Sequence, residues 1–224
     1  MMFDLDTLQS LEVRLSSPKG VTTSELTELL STVFADERST KDVDDYRLGK
    51  RPWKKLRDEV SPVSAFLSFK DLEGNARFPL DNKVPDAWFT SNGDVTVGIE
   101  VTRALGRTDY ELAKEMVHEG VGRGFLGLQD NALKADFNHA LQRPRTMYST
   151  RQALVTVSEG IQRCLEAKDK IKYAGMWLLV LAPLSNLTRE RWEAIVPALK
   201  QKAAPVSFDQ VHVFDGRSWG FQIK

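Results

Sequence analysis

The chain has 224 residues, of which 42% are hydrophobic, with 31 Lys+Arg exactly offset by 31 Asp+Glu. Such a length suits one domain, or one domain with an appendage, and can bury a sizeable core; zero net charge excludes recognition of a polyanion by bulk charge and leaves only local basic stripes for it. A single cysteine, Cys164, excludes an intramolecular disulfide and fits a reducing compartment.

The start, Met1-Met2-Phe3-Asp4-Leu5-Asp6, shows no basic leader or apolar h-region, and no run reaches membrane-spanning length. A cytoplasmic protein without a membrane partner is therefore expected. Residues 4–15 read as a short helix with Leu5, Leu8, Val13 and Leu15 as its apolar positions, broken by Ser16-Ser17-Pro18-Lys19-Gly20. A second helix starts at a capping box, Thr22-x-x-Glu25, and continues through Leu26, Leu29, Leu30, Val33 and Phe34. Carboxylates crowd the chain from Asp36 to Asp45. They argue against a DNA-reading helix there, because phosphates would be repelled. Residues 1–50 are expected to form an N-terminal helical appendage, with residues 51–224 as the core.

Charge then changes sign. Arg47, Lys50, Arg51, Lys54, Lys55 and Arg57 surround Pro52-Trp53, which opens a short helix ending near Val60. Lys50, Arg51, Lys54 and Lys55 are the candidate nucleic-acid contacts; a solvated helix face explains the same run. Ser64–Phe69 reads as a strand, Asp71–Asn75 as a turn and Arg77–Leu80 as a further strand. Next comes the most informative stretch, Val84 to Arg103. Its second run alternates Val95, Val97, Ile99 and Val101 with Thr96, Gly98, Glu100 and Thr102, so period 2 sends Glu100 and Thr102 to the face opposite the aliphatics. A two-residue Asn92-Gly93 turn would set Asp86 opposite Ile99 on the apolar face; the expected three-residue loop Ser91-Asn92-Gly93, with Gly93 at positive φ, pairs Thr90 with Asp94 and sets Asp86 opposite Gly98 on the face of Glu100. Gly98, lacking a side chain, would leave room between the two carboxylates.

Beyond the hairpin, Thr108-Asp109 starts a helix through Glu119. Gly120, Gly122, Gly124 and Gly127 make an irregular stretch, and without a preceding strand they form no dinucleotide fingerprint. A long helix covers about Ser149 to Tyr173, where Lys168, Lys170 and Lys172 complement the helix dipole. Met176–Ala182 is an apolar run suited to a strand buried on both faces. A helix near Thr188 breaks at Pro197, and Val211–Phe214 with Trp219–Ile223 forms a closing hairpin. The scattered His118, His139 and His212 lack zinc-ligand spacing, and Cys164 reads as a small buried hydrophobe.

Two carboxylates on one sheet face make a hard oxygen site suited to Mg²⁺. Pro85-Asp86 followed by Glu100-Val101-Thr102 resembles the motif of the PD-(D/E)XK nuclease superfamily, with Thr102 where that motif has lysine. The order of elements over roughly residues 52–215 is similar too. The resemblance implies an α/β fold, a restriction-endonuclease-like mixed sheet flanked by helices. It also implies a DNA endonuclease hydrolysing phosphodiester bonds, with Asp86, Glu100 and a backbone carbonyl near Val101 holding Mg²⁺ or Mn²⁺. Thr102 could orient the attacking water but carries no charge; Lys114 and Arg151 are the candidates to supply it. DNA is the expected partner, and a homodimer is compatible with the motif. Two other readings stay open: a catalytically inactive protein of this fold that binds nucleic acid or a protein, and a helical interaction module.

Overall fold

The computed structural model describes every residue except 1–4, 36–37, 82, 121, 123 and 144–146, so Asp4 and Asp36 of the segments above lie outside it. Three helices open the chain, α1 (Leu5–Ser16), α2 (Thr23–Ala35) and α3 (Thr40–Arg47), with a two-residue strand β1 (Val21–Thr22) before α2. Thr22 Oγ1 accepts from Glu25 N at 3.2 Å, which is the N-capping half of the capping box. Residues 1–50 thus give a strand to the sheet. Leu8, Leu11, Leu15, Leu26, Leu30 and Val33 also lie in the same apolar cluster as the sheet residues Phe89 and Ile99.

A π-helical segment, Leu56–Val60, runs directly into α4 (Ser61–Phe69). Pro62 explains the wide turn. It has no N–H to give to the carbonyl four residues back and its ring would collide with that carbonyl, and Ser61 N instead bonds Leu56 O. Ser64–Phe69 is therefore helix, not the expected strand. Leu56, Val60, Val63 and Leu67 recur at helical spacing and are all buried, so the period that governs this segment begins upstream of Ser64. The following strand is β2 (Gly74–Arg77), three residues earlier than the sequence pattern suggested.

β3 (Ala87–Ser91) and β4 (Thr96–Arg103) form the central hairpin. After it come α5 (Gly106–Glu119), α6 (Lys134–Gln142), α7 (Thr150–Lys168), β5 (Trp177–Leu181), α8 (Arg189–Trp192), α9 (Val196–Ala203), β6 (Gln210–Phe214) and β7 (Gly220–Gln222). Among the described residues, seven strands make one mixed sheet in sequence order. The first four pair antiparallel, β4, β5 and β6 run parallel, and β7 turns back antiparallel. This is an α/β architecture in which the long crossovers carry the helices. One core lies between α1, α2, α4 and the face bearing Ile99, Leu179, Leu181 and Phe214. A second lies between α7, α9 and the face bearing Leu178, Val180, Val211 and Val213. No helix among the described residues is long and apolar enough to cross a membrane.

His212 shows how dry the first core is. Its ring sits 4.8 Å from Phe66 and 5.9 Å from Trp177, centroid to centroid, and burial with the charge of Lys70 pushes its pKa down to about 4. A depressed folded-state pKa contributes stability above pH 6.5 that is lost as pH falls through about 4. Relative to wild type, His212→Gln should therefore gain up to about 3 kcal/mol between pH 7 and pH 4, read from denaturant midpoints at both pH values. A constant difference would mean that His212 titrates as freely as an exposed histidine.

Candidate active site

The hairpin register differs from the expected one by two residues. Ala87 pairs with Ile99, Trp88 with Gly98 and Thr90 with Thr96, and Ser91 N bonds Val95 O at 3.0 Å. The three-residue loop is Asn92-Gly93-Asp94, and Asp94, at φ +61°, takes the left-handed position expected of Gly93. Aspartate tolerates that conformation because its short side chain bonds locally. A shift of two preserves the face, so Asp86, one residue before β3, comes level with Glu100 rather than Gly98. Gly98 does not space the carboxylates. A methyl group there would lie 3.0 Å from Pro85 Cγ and 3.1 Å from Met176 Cγ, so its bareness accommodates those two side chains.

Pro85 also explains how Asp86 is fixed. Odd-numbered pairs of this hairpin exchange the ladder bonds, and the next would be Pro85 with Val101. Proline has no amide to exchange, and Val101 N donates instead to Asp86 Oδ2 at 2.8 Å. The carboxylate thus replaces a rung of the ladder and is held at the sheet rim. Burial and then the charge of Glu100 push the Asp86 pKa up to about 6.

Glu100 is 4% exposed in the middle of β4. Its Oε1 accepts from Lys168 Nζ at 2.6 Å, while its Oε2 is buried with no hydrogen-bond partner among the described residues. Burial works against the Lys168 ammonium, but the hydrogen bond and charge of Glu100 outweigh it and hold its pKa above the usual lysine value. Lys168 reaches Glu100 because α7 packs antiparallel on β4. Thr102 donates to Cys164 at 3.8 Å, and Lys168 stands four residues further along the helix. Four helical residues rise about 6 Å and two strand residues about 6.6 Å, so the two contacts stay in step. Gly160 permits the approach, since a methyl group there would lie 3.0 Å from Leu105. Burial raises the Cys164 thiol to about 11, so it is an inert packing group.

These residues line a cleft of about 500 Å³ together with Lys54, Arg57, Asp58, Glu59, Arg103 and Tyr110. Glu59, from the π-helical segment, has its pKa pushed up to about 7 by burial, against the hydrogen bond from Lys55, with the charge of Asp86 adding to the rise. Neither Lys168 nor Glu59 stands out in the sequence. The first reads as a helix-end cation and the second as part of a charged helix face.

The other expected residues scatter. Lys114 lines a separate groove between α5 and α6 with Glu111, Glu115 and His118. Arg151 lies in the first turn of α7, about 25 Å along the helix from Lys168. Of the basic cluster, Lys54 faces the cleft, Lys50 pairs with Asp45 at 3.4 Å, and Arg51 is exposed. Lys55 is held by Glu59 at 2.6 Å and by the Asp81 carbonyl at 2.7 Å.

Among the described residues no three His, Cys, Asp or Glu side chains are arranged as a metal cage. Mg²⁺ does not require one; it keeps several waters and is held by one or two carboxylates. Two adjacent carboxylates, one with a buried oxygen that has no hydrogen-bond partner among the described residues, are a donor set that fits such an ion. No protein-family profile, curated protein or solved structure matches this chain, so the assignment of a function rests on the site itself.

Proposed function

We propose that this chain is a metal-dependent DNA endonuclease on a restriction-endonuclease-like core, hydrolysing phosphodiester bonds at the site built by Asp86, Glu100 and Lys168. The observation that carries this reading is the 2.6 Å contact between Lys168 Nζ and Glu100 Oε1. It supplies, from a helix, the cation that Glu100-Val101-Thr102 lacks. The helix, hairpin, crossover helix and parallel strand that frame the site support the same reading.

Asp86 and Glu100, with the Val101 carbonyl, would hold Mg²⁺ or Mn²⁺, which when bound lowers the pKa of the attacking water and offsets charge on the phosphoryl group. The protein's own groups divide the remaining work. Lys168 Nζ, an N–H donor beside Glu100, orients the attacking water and faces the negative charge that develops on the phosphate. Glu59, with a pKa near neutrality, is suited to take the proton that this water releases. Thr102, engaged with Cys164, keeps α7 in step with β4 and has no part in the chemistry. Lys54, Arg57 and Arg103 offer donors to flanking phosphates.

A non-catalytic role on the same fold, binding nucleic acid or a protein, is the second reading. The closeness of acids and bases in the cleft favours it: Lys168 pairs with Glu100, Arg103 with Asp109 and Lys55 with Glu59. Incubation with plasmid and single-stranded DNA in Mg²⁺ or Mn²⁺ separates the two. Hydrolysis by wild type that disappears in Glu100→Gln supports the nuclease, and intact DNA under every condition leaves the binding role.

A further inference from the structure

The cleft beside the carboxylates has a size and an aromatic wall that the hydrolytic reading does not use. Its volume is about 500 Å³, within the ~300–1,000 Å³ of pockets that enclose one small molecule. One or two nucleotide units fit such a space, and a duplex does not enter it. Its basic groups are local, in a chain of zero net charge. A duplex held through many phosphates needs a broad positive surface instead.

Two guanidinium groups stand in this cleft in fixed orientation. Arg57 Nε lies 3.5 Å and Arg103 Nη2 4.0 Å from the same Asp58 carboxylate oxygen, and Arg103 Nη1 donates to Asp109 at 3.2 Å. Gly49, at φ +60°, has its bare α-carbon under the Arg57 guanidinium, where a side chain would displace it. The separations from Asp58 are those of loose ion pairs, so N–H groups of Arg57, and those of Arg103 not given to Asp109, remain able to meet a phosphate. Tyr110 completes the wall. It sits one turn into α5 and is 45% exposed, so its ring is spared from the core. An aromatic face beside two guanidinium groups is the combination that binds unpaired bases by stacking and their backbone by charge.

We infer that the cleft takes single-stranded DNA, with a backbone phosphate between Arg57 and Arg103 and the adjoining base stacked on Tyr110. This inference rests on the hydrolytic reading for placing the scissile phosphate at Asp86 and Glu100. It predicts a preference between strands that the reading alone does not.

The test uses the full chain in Ca²⁺ and measures fluorescence anisotropy with a fluorescein-labelled oligothymidylate and with a labelled hairpin duplex. Cleavage of both probes is followed separately in Mg²⁺. The oligothymidylate should bind at least about tenfold more tightly than the duplex, and Tyr110→Ala should weaken it by about tenfold or more while leaving duplex binding unchanged. Tyr110→Trp should restore it. The double variant Arg57→Gln/Arg103→Gln should flatten the salt dependence of log K by about 0.7, which Tyr110→Ala should not. Because Tyr110 is exposed, its variants should melt with the wild type, and melting curves verify this. Equal binding of both probes, or indifference to Tyr110→Ala, overturns the inference even if DNA is cleaved. A Tyr110-dependent single-strand preference without cleavage of either probe upholds the binding mode and overturns the hydrolytic reading instead.

Discussion

A Lys168→Met variant should lose DNA hydrolysis by a factor of about 10²–10³, the usual effect of removing one donor aimed at developing charge. The methionine keeps the unbranched apolar stem of lysine and lacks only its last atom, so packing around α7 changes little. The ammonium is lost, and with it the hydrogen bond to Glu100 Oε1 at 2.6 Å. A buried carboxylate left without its partner costs about 1–3 kcal/mol, so the variant should also melt several degrees lower. The activity loss must exceed what partial unfolding explains, and circular dichroism at the assay temperature settles that. Adding Thr102→Lys is the decisive second step. Thr102 lies on the same face of β4 as Glu100, two residues along, so a lysine there returns the cation to the strand position that the motif expects. The double variant should recover at least part of the lost rate, whereas a purely structural role for Lys168 predicts no recovery.

Asp86→Asn should lose activity and yet become more stable at neutral pH. The folded state holds the Asp86 pKa at about 6 against an ordinary 3.8, because ionisation there is opposed by burial and by Glu100. A raised carboxylate pKa contributes stability that is complete below pH 3.8 and lost as pH rises through about 6. Asparagine keeps an oxygen for the Val101 amide but never ionises. Relative to wild type the variant should gain up to about 3 kcal/mol at pH 7.5 and little at pH 4. In a chain of this size that is a rise of roughly 6–12 °C in Tm. Such a trade of stability for function is expected at a charged site. An Asp86→Asn protein less stable than wild type at pH 7.5 would mean that the carboxylate serves chiefly as a structural hydrogen-bond acceptor.

The hairpin was legible in the sequence because its information is local. Alternation from Val95 to Thr102 fixes the face of Glu100, and parity puts Asp86 on that face even though the register moved by two residues. The register was not legible because Asp94, rather than Gly93, occupies the left-handed position, and either residue satisfies the turn. The segment Ser64–Phe69 misled because six residues cannot distinguish period 2 from a stretch of period 3.6. The helix is evident only when Leu56 and Val60 are counted with Val63 and Leu67. Lys168 was hidden for a different reason. Its role depends on a match of rise between α7 and β4 through Thr102 and Cys164, which belongs to no single element. Glu59 was hidden likewise, since its interaction with Asp86 joins the π-helical segment to a hairpin further along the chain.

Asp86 and Glu100 are expected to hold one divalent cation between them. Isothermal titration of Mn²⁺ into the wild-type chain and into Glu100→Gln at pH 7.5 tests this most directly. One ion should bind per wild-type chain, with affinity that falls as pH drops below about 6 because the Asp86 proton then competes, and the variant should show no saturable heat. Absence of binding by the wild type, or equal binding by Glu100→Gln, would mean that these two carboxylates hold no cation.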